Sequence, residues 1–346
     1  MTSKITAIVF GLLLSWAALI YSHVVVAKTI VTFEHGDDSL AGHYLPATSK
    51  EKNGAVILFV HGDGALNYEA EGYYPLIWES LRQQGYSIFS WDKPGVGDST
   101  GNWLSQSMND RQGELRAAIR FLQRNYGYSG QQIGLLGFSQ AGWVIPAVAA
   151  NNPNVGFVIG VGFAIDWISQ GEYHTKTRLR VQQASAVETA QALKNYRQLL
   201  TNFAKYSSYA DYRQDLTDYH ETHGGLAEDR FSFVHKNYRV NAYKDYQGIE
   251  QPLLILLGED DLNVDVKDTQ RQLLEVFAEK RNMTLMILPN ATHSLLKSQY
   301  FNVQSPGLWF WLKLMGMQED AFSAKFFPVL ESWLRQRASI DVLSTE

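Results

Sequence analysis

The sequence has 346 residues, which is long enough for two compact domains or for one large α/β domain with an insertion. Apolar residues make up 45% and charged residues 19%, and this composition excludes a disordered chain, a collagen-like repeat and a multi-span membrane protein. The formal net charge is −5 and no block of Lys or Arg occurs, so the sequence predicts no nucleic-acid partner. It contains no cysteine, which excludes disulfides, thiolate metal ligands and a cysteine nucleophile.

The amino-terminal segment, residues 1–27, has the pattern of an export signal or a membrane anchor. Lys4 precedes a run of 23 residues from Ile5 to Ala27 that contains no Asp, Glu, Lys or Arg, and this run is long enough to span a bilayer. Val25 and Ala27 give the small-residue pattern that precedes a signal-peptidase cut, so we expect cleavage after Ala27 and a periplasmic or secreted protein. If the segment is retained, it anchors the protein to a membrane.

After this segment, short strand-like runs alternate with longer runs of helical period, which is typical of a mostly parallel sheet with helices on both faces. The predicted strands are Thr29–Glu34, Leu40–Leu45, Ala55–Val60, Tyr86–Trp91, Gln132–Leu136, Gly156–Val161, Pro252–Leu257 and Met283–Leu288. The predicted helices are Tyr73–Gln84, Asp110–Tyr126, Gln140–Ala150, Val266–Ala278 and Asp320–Arg337. The pattern therefore predicts an α/β fold with eight strands.

One stretch of 81 residues, 166–246, holds no convincing strand and contains nine of the eighteen tyrosines. We predict that it forms a helical cap inserted into a core made of residues 28–165 and 247–346. Ser185 and Glu188 form a capping box ahead of apolar positions at helical spacing: Val187, Ala190, Leu193, Tyr196, Leu200 and Phe203. We expect its aromatic side chains mainly to pack the cap against the core.

A candidate nucleophile, Ser139, lies at the junction of a predicted strand and a predicted helix. A serine on such a sharp turn needs small residues two positions before and two positions after it, and Gly137 and Ala141 meet this demand. The usual residue at the second position is glycine, so Ala141 is a departure. The context of strand, serine and helix indicates a nucleophile elbow.

A serine nucleophile needs a histidine to accept its proton and an acid to orient that histidine. Carboxylates at Asp260 and Asp261 follow the strand Pro252–Leu257, and His293 follows the last predicted strand, so all lie at the edge of the sheet where active sites of α/β folds occur. The order Ser139, Asp261, His293 is that of the α/β-hydrolase triad. Asp260 is the alternative acid, and we prefer Asp261.

Backbone amides of Asp63 and Gln140 are the candidate donors of an oxyanion hole. Asp63 lies in a loop that directly follows the third strand, and Gln140 immediately follows the nucleophile. The side chain of Asp63 would oppose an oxyanion, so we expect it to point away and to cap a turn. His61 in the same loop is expected to be a hydrogen-bonded structural residue rather than a catalytic base.

The sequence resembles the α/β-hydrolase superfamily of serine hydrolases, and more narrowly exported bacterial esterase-like proteins related to the dienelactone-hydrolase and prolyl-oligopeptidase branches. The matching segments are VTFEHGDDSLAGHYLP, FVHGDG, SWDKPGVGDSTG, IGLLGFSQAGWVIP, FVIGVGFA, LLILLGEDD and LPNATHSL. The resemblance implies a triad of Ser139, Asp261 and His293 and an acyl-enzyme mechanism. The departures from the pattern are Ala141, Asp63 and Lys93-Pro94.

Two further motifs predict neither a cofactor nor a metal, and one aromatic segment predicts only packing. The glycines around Gly95 lack the third glycine and the ribose-binding acid of a dinucleotide site, so we interpret that loop as a tight turn. His220 and His223 are three residues apart rather than the four of a helical zinc motif, which favours a solvated polar turn. The aromatic segment Leu308–Leu314 is able to line an acyl pocket or to touch a membrane, but packing under the last helix is the simpler interpretation.

The leading hypothesis is a serine hydrolase that cleaves a small-molecule carboxylic ester, without a cofactor. A serine peptidase and an acyltransferase remain alternatives, because the same triad serves all three reactions. A non-catalytic binding protein that kept the fold is a third hypothesis. The sequence leaves substrate identity and oligomeric state open.

Overall fold

The computed structural model of the protein describes residues 28–49, 53–215 and 225–343. The predicted export signal and the His220–His223 motif lie outside these residues. Within them, no helix combines the length and the hydropathy that crossing a membrane would need.

Eight strands form a single sheet at the centre of the described structure. They are β1 Thr29–His35, β2 Asp38–Leu45, β3 Val56–Val60, β4 Ser87–Trp91, β5 Ile133–Phe138, β6 Phe157–Val161, β7 Leu253–Gly258 and β8 Met283–Leu288. Their spatial order is β1-β2-β4-β3-β5-β6-β7-β8. The pairs β1·β2 and β2·β4 are antiparallel, and all the others are parallel. The predicted α/β-hydrolase fold class is confirmed, and every predicted strand is present.

The central strands are buried on both faces, as their continuous apolar sequences predict. Every residue of β3 to β7 is buried. Because side chains alternate along a strand, Leu253, Ile255 and Leu257 of β7 join the hydrophobic cluster on one face, while Leu254 and Leu256 join the cluster on the other. The sheet therefore separates two apolar cores.

Twelve helices are present in the described residues. They are α1 Pro75–Gln83, α2 Met108–Tyr126, α3 Ile145–Ala149, α4 Trp167–Val181, α5 Ala186–Phe203, α6 Tyr209–Gln214, α7 Glu228–Asn237, α8 Tyr243–Gln247, α9 Val266–Val276, α10 Ser298–Phe301, α11 Leu308–Met317 and α12 Phe326–Leu343. The predicted helices at α1, α2 and α9 agree with the structure to within two residues at each end.

Two helix predictions have wrong boundaries. The segment predicted as Gln140–Ala150 begins as a 3₁₀ turn and becomes α-helical only at Ile145, where Pro146 lies in the first turn. The helix predicted to begin at Asp320 begins at Phe326. Phe322 has extended backbone and forms an isolated bridge with Leu296, and this bridge separates a short 3₁₀ turn from α12.

Residues 166–246, which we call the cap, contain helices α4 to α8 and, where described, no strand. The predicted capping box is present, because Ser185 accepts a hydrogen bond from the amide of Glu188 at the start of α5. The apolar stripe predicted on α5 is not buried as expected, since only Phe203 is buried and Val187 is 79% exposed. Five of the aromatic residues pack with one another: Phe203, Tyr206, Tyr212, Phe231 and Tyr238. Phe233 and Tyr246 pack into the hydrophobic cluster of the core, as expected.

Candidate active site

Ser139 follows β5 directly and has a left-handed backbone conformation, with φ of 51°. This conformation is strained for a residue with a side chain, and it marks the sharp turn predicted from the sequence. A side chain at Gly137 would have its Cβ atom 2.7 Å from the methyl group of Ala141. The Ala141 methyl group therefore fits because Gly137 has no side chain, which explains how the elbow accommodates this departure.

Asp261 and His293 come together from the loops that follow β7 and β8. Nδ1 of His293 donates a hydrogen bond of 2.7 Å to Oδ2 of Asp261. The other carboxylate oxygen accepts the backbone amides of Asn263 and Val264 at 2.7 and 2.9 Å. The hydrogen bond from His293 thus goes to Asp261 and not to the adjacent Asp260, and the buried Asp261 carboxylate is held by three donors.

The charge state of His293 depends on two opposing effects. Burial of the imidazole acts to lower its pKa, while the charge of Asp261 and the hydrogen bond to it act to raise the pKa. The second effect is larger, so the pKa of His293 lies above the ordinary value of 6.5. The imidazole is therefore a stronger base than a free histidine.

A cavity of about 560 Å³ lies between the carboxyl edge of the sheet and the cap, and both Ser139 and His293 line it. Aromatic side chains form much of its wall: Tyr73, Tyr74, Phe138, Trp143, Trp167, Phe310 and Trp311. Phe310 and Trp311 also pack against the apolar core that contains α12, as expected for their segment. The neighbouring Trp309 is 75% exposed, so packing under the last helix does not describe this residue.

Both residues predicted to supply oxyanion donors, Asp63 and Gln140, line the same cavity. The loop of Asp63 passes close to the elbow, because a Cβ atom at Gly62 would lie 3.5 Å from Cβ of Ser139. A glycine at this position therefore lets the loop approach the candidate nucleophile.

His61, in the same loop, is buried and hydrogen-bonded, as predicted. Its Nε2 atom is 2.5 Å from the carbonyl oxygen of Trp91, and its Nδ1 atom is 3.2 Å from the hydroxyl of Tyr74. Burial, together with the nearby charges of Lys93 and Arg111, lowers the pKa of His61 to about 3, although the bond to Trp91 acts in the opposite direction. His61 is therefore uncharged at neutral pH.

Two buried cations, Lys93 and Arg111, hold the loop from its inner side. Arg111 donates to the carbonyl oxygen of His61 at 2.6 Å and to the side-chain oxygen of Gln140. Lys93 donates to the carbonyl oxygens of Gly62 and Gly64 at 3.2 and 2.7 Å. The sequence marks Lys93 only as a departure from the superfamily pattern in a loop interpreted as a turn, and Arg111 belongs to no motif, so it predicts no role for either residue.

The carboxylate of Asp63 is bound by the cap. Arg230 of α7 donates two hydrogen bonds to it, of 2.7 and 3.1 Å, and the side chain of Gln140 donates a third of 3.2 Å. The principal partner of Asp63 is thus a guanidinium that is 167 residues away in the chain. The prediction that this side chain mainly caps a turn is wrong.

Two further residues lie near His293, and the sequence predicts a role for neither of them. Gly162 follows β6 with φ of 60°, and a Cβ atom there would lie 2.9 Å from Nδ1 of the imidazole. His174 of α4 lines the cavity, and burial and the nearby Arg178 and His293 lower its pKa. Only the quoted segment FVIGVGFA pointed to Gly162, without assigning it a role.

Comparison with known proteins agrees with this architecture. Residues 51–299 match the family Hydrolase_4, described as serine aminopeptidase, S33. No curated protein sequence gives a significant match.

Solved structures with the same fold include the proline iminopeptidase of Mycobacterium smegmatis, at 13% identity, with 90% of this chain and 100% of that chain covered and a TM-score of 0.55. An esterase of Pyrococcus furiosus has 19% identity, covers 78% of this chain and 84% of its own, and has a TM-score of 0.52. The esterase domain of a Rhodothermus marinus protein has 19% identity, with 89% and 98% covered and a TM-score of 0.52. Because the family match spans well over half of the sequence, the chain belongs to the Hydrolase_4 family and is a serine hydrolase of the α/β-hydrolase fold.

Proposed function

We propose that the protein hydrolyses uncharged carboxylic esters through an acyl-enzyme intermediate. His293 accepts the proton of the Ser139 hydroxyl as its oxygen attacks the ester carbonyl, and Asp261 orients the imidazole. Backbone amides of Asp63 and Gln140 stabilise the resulting oxyanion. The alcohol then leaves with the proton from His293. A water molecule, deprotonated by His293, attacks the acyl group, and collapse of the second intermediate releases the acid and returns the proton to Ser139.

The observation that carries this proposal is the hydrogen bond between His293 and Asp261 at the wall of the cavity that Ser139 also lines. A carboxylate in this position favours the imidazolium that forms when the serine loses its proton. The raised pKa of His293 agrees with this role as a general base.

The cavity favours a neutral ester over the substrate of an aminopeptidase, which is the alternative suggested by the family description. An aminopeptidase has to bind a free, positively charged amino group, for which an unpaired carboxylate is the strongest partner. Among the described residues that line the cavity, Asp63 is the one acidic side chain, and Arg230 already neutralises it. An uncharged ester that contacts the aromatic wall needs no such partner.

A fluorophosphonate probe and two substrate series test this proposal. We expect the probe to label Ser139 in the full chain, and we expect p-nitrophenyl esters to be cleaved faster than aminoacyl p-nitroanilides. Ser139→Ala should abolish labelling and lower kcat by roughly 10⁴-fold to 10⁶-fold. Ser105→Ala, at an exposed serine outside the cavity, is the matched control and should leave both unchanged.

Two outcomes would contradict the proposal in different ways. Faster turnover of the anilides than of the esters would identify an aminopeptidase. Absence of both labelling and turnover in the unaltered protein would favour the non-catalytic binding protein.

We also propose that residues 1–27 direct export and that the mature protein begins at Lys28, on the basis of the signal-peptide pattern. The intact mass of protein recovered from the periplasm or medium tests this. Loss of these 27 residues is the expected result, whereas a full-length, membrane-bound product would favour the retained anchor.

A further inference from the structure

A carboxylate occupies an electrostatically unfavourable position in the candidate active site. Asp63 is the residue whose backbone amide is proposed to bind the oxyanion, so a negative charge on its side chain opposes the negative charge that develops there. Burial acts to raise the pKa of Asp63, but the hydrogen bonds and charge of Arg230, together with the charge of Lys93 and a hydrogen bond from the Gly64 amide, outweigh it, so this pKa lies below the ordinary value. The carboxylate is therefore ionised at neutral pH and has to be compensated.

Arg230 is well placed to provide the compensation. Its guanidinium binds both carboxylate oxygens of Asp63, and such bidentate pairing fixes orientation as well as charge. The guanidinium also lies 5.0 Å from the ring centre of Phe233 and 6.0 Å from that of Trp103. These aromatic faces hold the cation in place before any substrate binds.

The pair belongs to a longer polar chain that joins the two proposed oxyanion donors. Arg111 donates to the side-chain oxygen of Gln140, the side-chain Nε2 of Gln140 donates to Asp63, and Arg230 donates to Asp63. Three of these residues lie in the core, and Arg230 alone comes from the cap. The direct ion pair of the Asp63 carboxylate therefore forms only when α7 of the cap lies against the core, while the buried Lys93 acts on the same carboxylate from the core side.

We propose that Arg230 is a positioning residue of the reaction, which neutralises Asp63 and so makes cap docking a condition for oxyanion stabilisation. This inference rests on the proposed function. It predicts a specific sign of coupling between the two residues. Removing Arg230 alone leaves the Asp63 carboxylate near the oxyanion without its ion-pair partner, whereas the double variant removes this carboxylate as well.

A double-mutant cycle in the full chain tests the proposal, with Arg230→Gln, Asp63→Asn and the double variant D63N/R230Q. We expect R230Q to lower kcat by about 10-fold to 100-fold with little change in KM, because the charge acts mainly on the transition state. We expect the double variant to recover most of that loss. Arg239→Gln, at an exposed arginine of the same cap, is the matched control and should behave like the unaltered protein.

Further measurements distinguish neutralisation of the Asp63 charge from a purely structural role, in which the ion pair only holds the cap against the core. Arg230→Lys retains the positive charge and should keep most of the activity even if R230Q folds poorly. Affinity for a boronic acid, which mimics the tetrahedral intermediate, should fall in parallel with kcat/KM in R230Q. If the ion pair had only this structural role, D63N/R230Q would be at least as impaired as R230Q, because both variants lack the ion pair.

The following results would overturn the inference. Equal kcat values for R230Q and R239Q would show that the charge of Arg230 is irrelevant to the reaction. Failure of D63N to rescue R230Q would reject charge neutralisation in favour of a purely structural role of the ion pair. Absence of Ser139 labelling and ester turnover in the unaltered protein would reject the proposed function itself, and this inference with it, so the two failures are distinguishable.

Discussion

The sheet and the cap are stabilised in different ways. The strands β3 to β7 are buried throughout, between two large clusters of mostly aliphatic and aromatic side chains. The cap has a small cluster of five buried aromatic residues, and its longest helix, α5, buries only Phe203. Several specific polar contacts join cap to core, including Arg230 to Asp63 and Tyr173 to the carbonyl oxygen of Asp261. We infer that substitutions in the sheet mainly change stability, whereas those at the polar contacts mainly change activity.

After Ser139→Ala, the largest expected effect comes from Asp261→Asn, which removes the charge beside His293 and keeps the shape of the site. By analogy with the same change in other serine hydrolases, kcat should fall by about 10⁴-fold. In the unaltered protein His293 has to be neutral, so activity should rise with pH through a value above 6.5. In the variant this rise should shift to lower pH, because Asp261 no longer raises the pKa of His293. Steady-state rates from pH 4 to 9 measure both effects.

Asp260→Asn is the matched control for this variant, since it neutralises the adjacent carboxylate, which His293 does not contact in the structure. Its kcat and pH profile should match those of the unaltered protein. If D260N lost activity and D261N kept it, the assignment of the acid would be wrong.

Leu256→Ala in β7 should have the next largest effect, on stability instead of chemistry. Leu256 is fully buried, and its truncation leaves a cavity that should reduce the free energy of unfolding by about 2–5 kcal/mol. Urea denaturation measures this loss, and kcat per labelled molecule should remain close to that of the unaltered protein. A loss below about 1 kcal/mol would mean that the sheet is not the main source of stability.

Gly162→Ala combines both kinds of effect, because the new methyl group would be 2.9 Å from the imidazole of His293 and the backbone is left-handed. We expect kcat to fall about 10-fold to 100-fold, since small displacements of catalytic groups have effects of this size. Gly127→Ala is the control, because that residue is also left-handed, with φ of 73°, but apart from its chain neighbours no described atom lies within 4 Å of the added carbon. It should cost about 1 kcal/mol of stability and leave kcat unchanged. Equal kcat values for the two variants would contradict the role assigned to Gly162.

Val187→Ala on α5 should have the smallest effect. The side chain is 79% exposed, so the free energy of unfolding should change by less than about 0.5 kcal/mol. Thermal denaturation and ester turnover check this expectation. A loss above 1 kcal/mol would show that α5 is packed in solution and would weaken the contrast between cap and sheet.

Much of the core could be predicted from the sequence because strong local patterns determine it. Short β-rich runs indicated all eight strands, the later ones as continuous apolar runs, and β8 has the predicted ends, Met283 and Leu288. Parallel strands bring their carboxyl ends to one edge, which is why Ser139, Asp261 and His293 could be proposed together. These predictions rest on periodicity and topology.

The cap and its contacts could not be predicted in this way. Arg230 meets Asp63 across 167 residues, and no local pattern distinguishes it from any other arginine on a helix. Arg111 lies within a predicted helix, yet periodicity does not reveal that it is buried. The apolar spacing of α5 correctly indicated a helix, but spacing alone does not show whether another part of the protein packs against its apolar side chains. Such pairings depend on tertiary contacts between distant polar groups.

The left-handed backbone of Ser139 also has a consequence for how this protein can be stabilised. A residue with a side chain in this conformation costs of the order of 1–3 kcal/mol, and glycine adopts it freely. A chain with glycine at position 139 should therefore be more stable than the natural one, while lacking the proposed nucleophile. Selection for thermal resistance alone would favour inactive chains at this position, so directed evolution of the protein has to screen for turnover and stability together.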